Sequence, residues 1–176
     1  MAAAGASHST STPRTTQQGQ ASQAPANQAG SPSRRRPQGG DVIVVDSSVW
    51  VDFFNGAESM ERDTLRELIR RAPSQVVVPE LVLYEVLCGF RDERQKRKAK
   101  EAFEALECVQ SLSLQGAERA AQRYQDLRSK GITIRSHIDV LLASYCIDHD
   151  LVLLQRDRDF HPFAQHFGLR LLQPLH

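Results

Sequence analysis

Five acidic residues stand where their neighbours predict burial or the end of a strand. Asp46 ends the apolar run DVIVVD, and Asp157 and Asp159 follow the apolar run LVLLQ. Glu85 and Asp139 each lie inside an otherwise apolar helical segment. A carboxylate in such surroundings is costly to bury unless it is paired or binds a cation. The sequence therefore raises the question of what positive charge these acids meet.

Each acid has an ordinary interpretation when it is taken alone. A single acid in an apolar helix usually lies at its solvent-facing edge. Asp139 also falls in the first turn of its predicted helix, where the helix dipole favours an anion. Asp157 or Asp159 could simply cap the helix that follows. Several such acids at one rim of one sheet are harder to explain in this way, because clustered carboxylates stay ionised only beside a positive charge.

The missing positive charge is predicted to be a divalent metal ion that faces Asp46. No pattern of His or Cys accompanies the acids, which disfavours zinc and the redox metals. An all-oxygen ligand set suits Mg²⁺ or Mn²⁺. Such ions assist the hydrolysis of phosphate esters, so the residue types alone indicate chemistry on phosphodiesters.

Short apolar runs alternate with helical segments through the whole second part of the chain. Strands are predicted at 41–46, 75–79, 108–114, 151–155 and 169–173. Ser47 or Ser48 is expected to cap the first helix. The alternation predicts an α/β fold with three layers, α/β/α, around a central, mainly parallel sheet of four to five strands. In such sheets the functional site lies at the carboxyl ends of the strands, where the acids fall.

Residues 1–40 differ in composition from everything that follows. They contain no Val, Ile, Leu or Phe, no acid, and four arginines. Such a segment cannot bury enough apolar area to offset its ordering entropy. We therefore expect a disordered low-complexity tail over 1–40 and one folded domain over 41–176. A targeting peptide or a nucleic-acid contact through Arg34–Arg36 are alternatives, but a dispensable extension is the interpretation we favour.

The charge balance is unlike that of a typical nucleic-acid binder. The tail holds four of the 22 basic residues and none of the 21 acids, so residues 41–176 carry a net charge of −3. The densest positive charge of the domain lies at 91–100. Lys96, Arg97 and Lys98 in that stretch, together with Arg156, are candidate contacts to the phosphates of a substrate. A solvated helix face, with Glu101 and Glu104 as ion-pair partners, explains 91–100 equally well.

Cysteine usage and hydropathy bear on the compartment. Cys88, Cys108 and Cys146 form no CxxC pair, and an odd number of scattered thiols is typical of a reducing compartment. No apolar run approaches 18 residues, so no membrane span is predicted. A cytoplasmic protein is the expectation.

Four blocks of sequence, in this order, resemble a known family. They are VVDSSVWVDFF, LVLYEVLCGF, IDVLLASYCIDHDLVLLQRDRDF and GLRLL. Together they are similar to the PIN-domain ribonucleases of the VapC toxin type, and the resemblance covers about residues 41–174. No single block would be specific, but the set in this spacing is.

The resemblance implies a function and assigns roles to the acids. Members cut RNA with Mg²⁺ or Mn²⁺, form homodimers, and are silenced by a small antitoxin whose tail occupies the acidic cleft. When the acids of the family are matched to this sequence position by position, the catalytic residues are Asp46, Glu85, Asp139 and Asp157. Metal binding falls on Asp46, Asp139, Asp157 and the adjacent Asp159.

Two other classes of function remain open at this point. One is a structure-specific DNA nuclease, since related acidic folds cut DNA. The other is a non-enzymatic module whose acids bind a basic peptide. The small size counts against the first, and the complete set of acids counts against the second.

Deletion of residues 1–40 is expected to leave folding and RNA cleavage intact, because nothing in that segment can pack against an apolar core. Thermal melting and a cleavage assay on the full chain and the truncated chain test this. A melting temperature several degrees lower, or loss of cleavage, would assign the tail a structural or substrate-binding role.

Overall fold

Five parallel strands form the central sheet of the computed structural model, which describes residues 40–174. The strand order is β3-β2-β1-β4-β5, and every neighbouring pair is parallel. The strands are β1 (Ile43–Val45), β2 (Val76–Pro79), β3 (Glu107–Val109), β4 (Val152–Leu154) and β5 (Arg170–Leu171). The predicted α/β class and the predicted strand number are confirmed.

Seven α-helices connect and flank the strands. They are α1 (Ser47–Asn55), α2 (Met60–Arg71), α3 (Glu80–Gly89), α4 (Glu93–Glu104), α5 (Leu114–Ser129), α6 (His137–Asp148) and α7 (His161–Phe167). Two short 3₁₀ turns occupy Pro73–Gln75 and Arg158–Phe160. Helix α1 packs against both α2 and α3, and α5 packs along α6.

The apolar core lies between the sheet and these helices. Every residue of β1, β2 and β4 is buried, which explains why these strands read as continuous apolar runs rather than alternating ones. Trp50 on α1 is fully buried, and the ring of Phe103 on α4 lies 4.8 Å from it, edge to face.

The chain order of the sheet reverses between β1 and β4. Strands β2 and β3 lie on one side of β1, whereas β4 and β5 lie on the other. Val45 pairs with Leu154 at the carboxyl ends of these two central strands. A crevice outside the sheet forms at such a reversal, and ligands of open α/β sheets bind there.

Helix α1 begins differently from the prediction. Asp46, not Ser47 or Ser48, is the N-cap, and its side chain accepts a hydrogen bond from the Ser48 backbone N at 3.1 Å. The helix starts directly at the strand end, so the cap position falls one residue earlier than expected. Gly56 ends the helix in a left-handed conformation, with φ of 70°.

The third strand is shorter than the predicted span 108–114. β3 ends at Val109, because the carboxylate of Glu80 accepts hydrogen bonds from the backbone N of Ser111, at 2.6 Å, and of Leu112, at 3.0 Å. Ser113 then caps α5 through the Gly116 backbone N. The alternation of Ser and Leu therefore marks a capped turn and not a strand.

The predicted tail falls, apart from Gly40, outside the described residues. Within residues 40–174, no helix is both long enough and apolar enough to cross a membrane.

Candidate metal centre at the carboxyl edge of the sheet

Asp46 is fixed by the backbone of both central strands. It directly follows β1, and its backbone N donates to the Leu154 carbonyl oxygen of β4 at 2.9 Å. Its side chain is 3% exposed and accepts hydrogen bonds from the backbone N and the hydroxyl of Ser48. The carboxylate therefore has little freedom to move away from the crevice.

Glu85 and Asp139 bring two more carboxylates to Asp46. Glu85 lies in the middle of α3, on the same helix as the buried residues Val82 and Val86, and is itself partly buried. Asp139 lies in the first turn of α6 and is 9% exposed. Carboxylate oxygens of the three residues all lie within 4.8 Å of one another, and we call this group the first trio.

A second group shares Asp139 with the first. Asp157 and Asp159, in the segment after β4, place carboxylate oxygens within 4.8 Å of each other and of Asp139. We call Asp139, Asp157 and Asp159 the second trio. The Asp157 side chain also caps the following 3₁₀ turn by accepting from the Asp159 backbone N at 3.0 Å, so the capping interpretation and the cluster hold together.

The structure thus brings all five predicted acids to one edge of the sheet, in two groups that share Asp139. Glu85, which was predicted for catalysis, lies with Asp46 and Asp139. Asp157, which was predicted for both catalysis and metal binding, and Asp159, which was predicted for metal binding, form the second trio with Asp139. The roles of the individual acids stay predictions. A metal site drawn from this geometry would be built first from Asp46, Glu85 and Asp139.

The first trio is electrostatically strained. Burial raises the pKa of Asp46, and burial together with the charge of Asp46 raises the pKa of Glu85. Burial and the charges of Asp46 and Glu85 raise the pKa of Asp139 to about 7. The neighbouring hydroxyls are those of neutral serines. The Ser48 hydroxyl donates to Asp46, and the side chains of Ser47 and Ser136 partly oppose the rise in the pKa of Glu85 and of Asp139. Ser136 Oγ itself accepts from the Asp139 backbone N at 3.3 Å.

Arg135 pairs with two acids of the second trio, Asp157 and Asp159, and the sequence interpretation overlooked it. Its Nε lies 3.0 Å from Asp159 Oδ2, and its Nη2 lies 3.0 Å from Asp157 Oδ2. Partial burial would raise the pKa of Asp159, but these hydrogen bonds and the charge of Arg135 hold the pKa below its usual range. The only signal in the sequence was its place directly before Ser136, the cap of α6.

Arg156 does not join the site acids. It forms an ion pair with Asp52 of α1, which also accepts from Ser59 Oγ at 3.2 Å. The pair therefore links the end of β4 to α1 and to the start of α2. Its predicted contact with substrate stays a prediction, in competition with this structural role.

Lys96, Arg97 and Lys98 lie on α4, and all three side chains are exposed. Ala99 and Phe103 are the buried residues of this helix. The six basic residues of this stretch form what we call the basic cluster: Arg91, Arg94, Lys96, Arg97, Lys98 and Lys100. Within residues 40–174, one of the six forms an ion pair, Lys96 with Glu93 at 3.6 Å.

The donor set of the first trio fits a hard divalent cation. All of its ligands are carboxylate oxygens, and Glu85 Oε2 is buried without a hydrogen-bond partner among the described residues. Buried polar atoms are nearly always satisfied, so an unsatisfied acceptor beside two other carboxylates indicates a missing cation. Mg²⁺ and Mn²⁺ prefer such oxygen ligands.

Comparison with known families and proteins agrees with this geometry. The family described as PIN domain matches residues 43–165, a span that contains all five acids. Ribonuclease VapC11 of Mycobacterium tuberculosis is 27% identical over 124 residues, which are 70% of this chain and 92% of that protein.

Solved structures resemble the fold over nearly their whole length. A toxin–antitoxin complex from Klebsiella pneumoniae matches with a TM-score of 0.56 and 19% identity, covering 76% of this chain and 98% of that one. VapC20 of Mycobacterium tuberculosis, described as a sarcin–ricin loop cleaving toxin, matches with a TM-score of 0.55 and 18% identity, covering 71% and 95%. At these identities the structures establish the shared fold.

The raised pKa values predict how the chelated protein responds to pH. A carboxyl whose pKa is higher in the folded state stabilises the fold below its ordinary pKa of 3.8, and that stability is lost as the pH rises through about 7. In chelator, wild type should therefore melt at a lower temperature at about pH 8 than at about pH 5. The melting temperature of Asp139→Asn should fall less over the same change in pH. Thermal melts at both pH values test this.

At about pH 8 in chelator, the free energy of unfolding of Asp139→Asn should equal that of wild type or exceed it by about 1 kcal/mol. This corresponds to about 3 °C in melting temperature. Glu118→Gln, which removes the charge of an exposed acid on α5, is the matched control and should follow wild type. A chelated Asp139→Asn protein that melts clearly lower would show that Asp139 stabilises its helix rather than repels its neighbours.

Proposed function

Since this chain belongs to the PIN domain family, we propose that it is a metal-dependent endoribonuclease and the toxin of a toxin–antitoxin pair. The observation that carries the proposal is the first trio, three carboxylates within 4.8 Å of one another at the carboxyl edge of the sheet. The names of similar proteins support the substrate class, since one is a ribonuclease and another a sarcin–ricin loop cleaving toxin.

Each residue of the first trio would hold the ion in a different way. Asp46 is a rigid ligand, because its backbone is bonded to β4 and its side chain to Ser48. Glu85 offers Oε2, which has no other partner among the described residues. Asp139 lies in the first turn of α6, where the helix dipole favours its ionised form once a cation is near.

The reaction would be hydrolysis of an RNA phosphodiester. A bound Mg²⁺ or Mn²⁺ supplies charge neutralisation on the phosphate and lowers the pKa of the attacking water. The carboxylates of the first trio would hold that ion, and with it the attacking water, at one place in the crevice. The products would carry a 5′-phosphate and a 3′-hydroxyl. Asp157, in the second trio, would act on the centre through the charge that it adds beside Asp139.

The proposed protein partner is a small antitoxin with a basic segment. A cleft that holds five carboxylates attracts such a segment, and one similar structure is a toxin–antitoxin complex. We also propose a homodimer, for which exposed apolar side chains such as Tyr84 and Leu114 offer contact area. Light scattering that gives the mass of a single 19.7 kDa chain at micromolar concentration would contradict the dimer.

Cleavage should require Mg²⁺ or Mn²⁺ and should act on RNA rather than on DNA of the same sequence. Asp139→Asn should reduce the rate by at least about 100-fold, because one of three ligands then carries no charge. Gel assays with both nucleic acids, with chelator, and with Glu118→Gln as the matched control measure this.

The possible outcomes separate the classes of function. Full activity in excess chelator would remove the metal from the mechanism. Cleavage of DNA but not RNA would favour the DNA nuclease. Absence of Mn²⁺ binding in calorimetry, together with binding of a basic peptide, would favour the non-enzymatic module.

The basic cluster is the proposed contact to RNA phosphates. Helix α4 begins four residues after α3, the helix of Glu85, so the cluster follows the centre closely along the chain. Glu101 is four residues from Arg97, and Glu104 is four residues from Lys100, a spacing that favours ion pairs. The structure shows neither pair, which counts against the view that these charges are there to neutralise one another.

Replacement of Lys96, Arg97 and Lys98 by Glu should weaken RNA binding and flatten its salt dependence by about 0.7 in the log–log slope for each lost phosphate contact. Replacement of Arg66, Arg70 and Arg71 on α2 by Glu is the matched control for the change in net charge. Fluorescence anisotropy over a range of salt concentrations measures both. An equal loss of RNA affinity in the two variants would assign the effect to the overall charge of the protein rather than to a contact with phosphate.

A further inference from the structure

Arg135 makes four hydrogen bonds to two acids of the second trio. Its Nη2 donates to both oxygens of Asp157, at 3.1 and 3.0 Å. Its Nε and its backbone N both donate to Asp159 Oδ2, at 3.0 and 3.1 Å. Asp159 is nearly buried at this place, with 12% of its side chain exposed, whereas 66% of the Arg135 side chain is exposed.

The two trios differ in charge compensation but not in spacing. Both place carboxylate oxygens within 4.8 Å of one another, so distance alone would admit a cation at either. Among residues 40–174, no Lys or Arg forms an ion pair with Asp46, Glu85 or Asp139. At Asp157 and Asp159, by contrast, a guanidinium already supplies a positive charge.

A guanidinium is a persistent competitor for a metal ion. Its hydrogen bonds to carboxylates are charge-assisted and span two acids at once. Unlike His or Lys, Arg cannot give up its proton in the working range of pH, so its charge is permanent. An ion that bound the second trio would have to displace these bonds and bring its own charge beside that of Arg135.

We propose that Arg135 takes the place of a second divalent ion at Asp157 and Asp159, so that the centre holds one ion, at the first trio. The inference rests on the proposed function, because it presumes that the first trio binds Mg²⁺ or Mn²⁺. Arg135 is a positioning residue in this arrangement: it holds the two acids in place and cancels part of their charge near Asp139.

Titration of the full-length chain with Mn²⁺ tests the stoichiometry directly. Wild type should bind one Mn²⁺ per chain by calorimetry and by the loss of the free-ion signal in electron paramagnetic resonance. Arg135→Ala should bind a second Mn²⁺, at least about ten-fold more tightly than any further Mn²⁺ on wild type. The double variant Arg135→Ala with Asp159→Asn should return to one.

A matched control separates this effect from the loss of a surface ion pair. Arg119 donates from its Nε to Asp148 at 2.8 Å and is half exposed, so Arg119→Ala removes a similar pair between α5 and α6. It should leave the Mn²⁺ stoichiometry at one. Arg135→Gln, which keeps a polar side chain without the charge, should behave like Arg135→Ala and serves if that variant folds poorly.

The outcomes distinguish the two proposals. One Mn²⁺ in both wild type and Arg135→Ala, or two of equal affinity in both, overturns the role of Arg135 and leaves the proposed function standing. Failure of every variant and of wild type to bind Mn²⁺ overturns the metal centre itself, and this inference with it. One ion in wild type and two in the charge-removed variants supports both.

Discussion

Mutual repulsion of Asp46, Glu85 and Asp139 is the constraint on which the site depends. The three carboxylates lie close together, and burial, added to by the charges of Asp46 and Glu85, raises the pKa of Asp139 to about 7. Left free, they would turn apart into solvent. They remain together because each is anchored on a packed element: Asp46 at the end of a buried strand, and the other two on helices with buried faces.

The topology of the sheet explains why residues so distant in sequence can share one crevice. β1 and β4 are neighbours at the point where the chain order reverses, so the segments after them leave the sheet side by side. The helix after β2 carries Glu85, and the helix before β4 carries Asp139. Both helices thereby bring an acid to the carboxyl edge. Packing of the apolar core therefore keeps these acids together at the edge despite their mutual repulsion.

The sequence predicted those parts of the structure that depend on local pattern. Continuous Val-rich runs marked the buried strands, and acids among apolar residues marked the carboxyl edge. It failed where a side chain meets a partner far along the chain. Arg135 contacts Asp159 across 24 residues, and Arg156 contacts Asp52 across 104. Neither ion pair produces a periodic pattern in the sequence from which it could be predicted. β3 was overextended for the same reason, because Glu80 ends it from 31 residues away.

The kind of hydrogen-bond donor at each acid decides what that acid can still bind. The Ser48 hydroxyl satisfies an oxygen of Asp46, and the side chains of Ser47 and Ser136 lie beside Glu85 and Asp139. None of these serines brings any charge, so the negative charge of the first trio remains available to a cation. A guanidinium in the same positions would satisfy the same oxygens and would also cancel that charge. The serines can therefore orient the ligands without competing with the ion, which is the condition for a rigid centre that still binds metal.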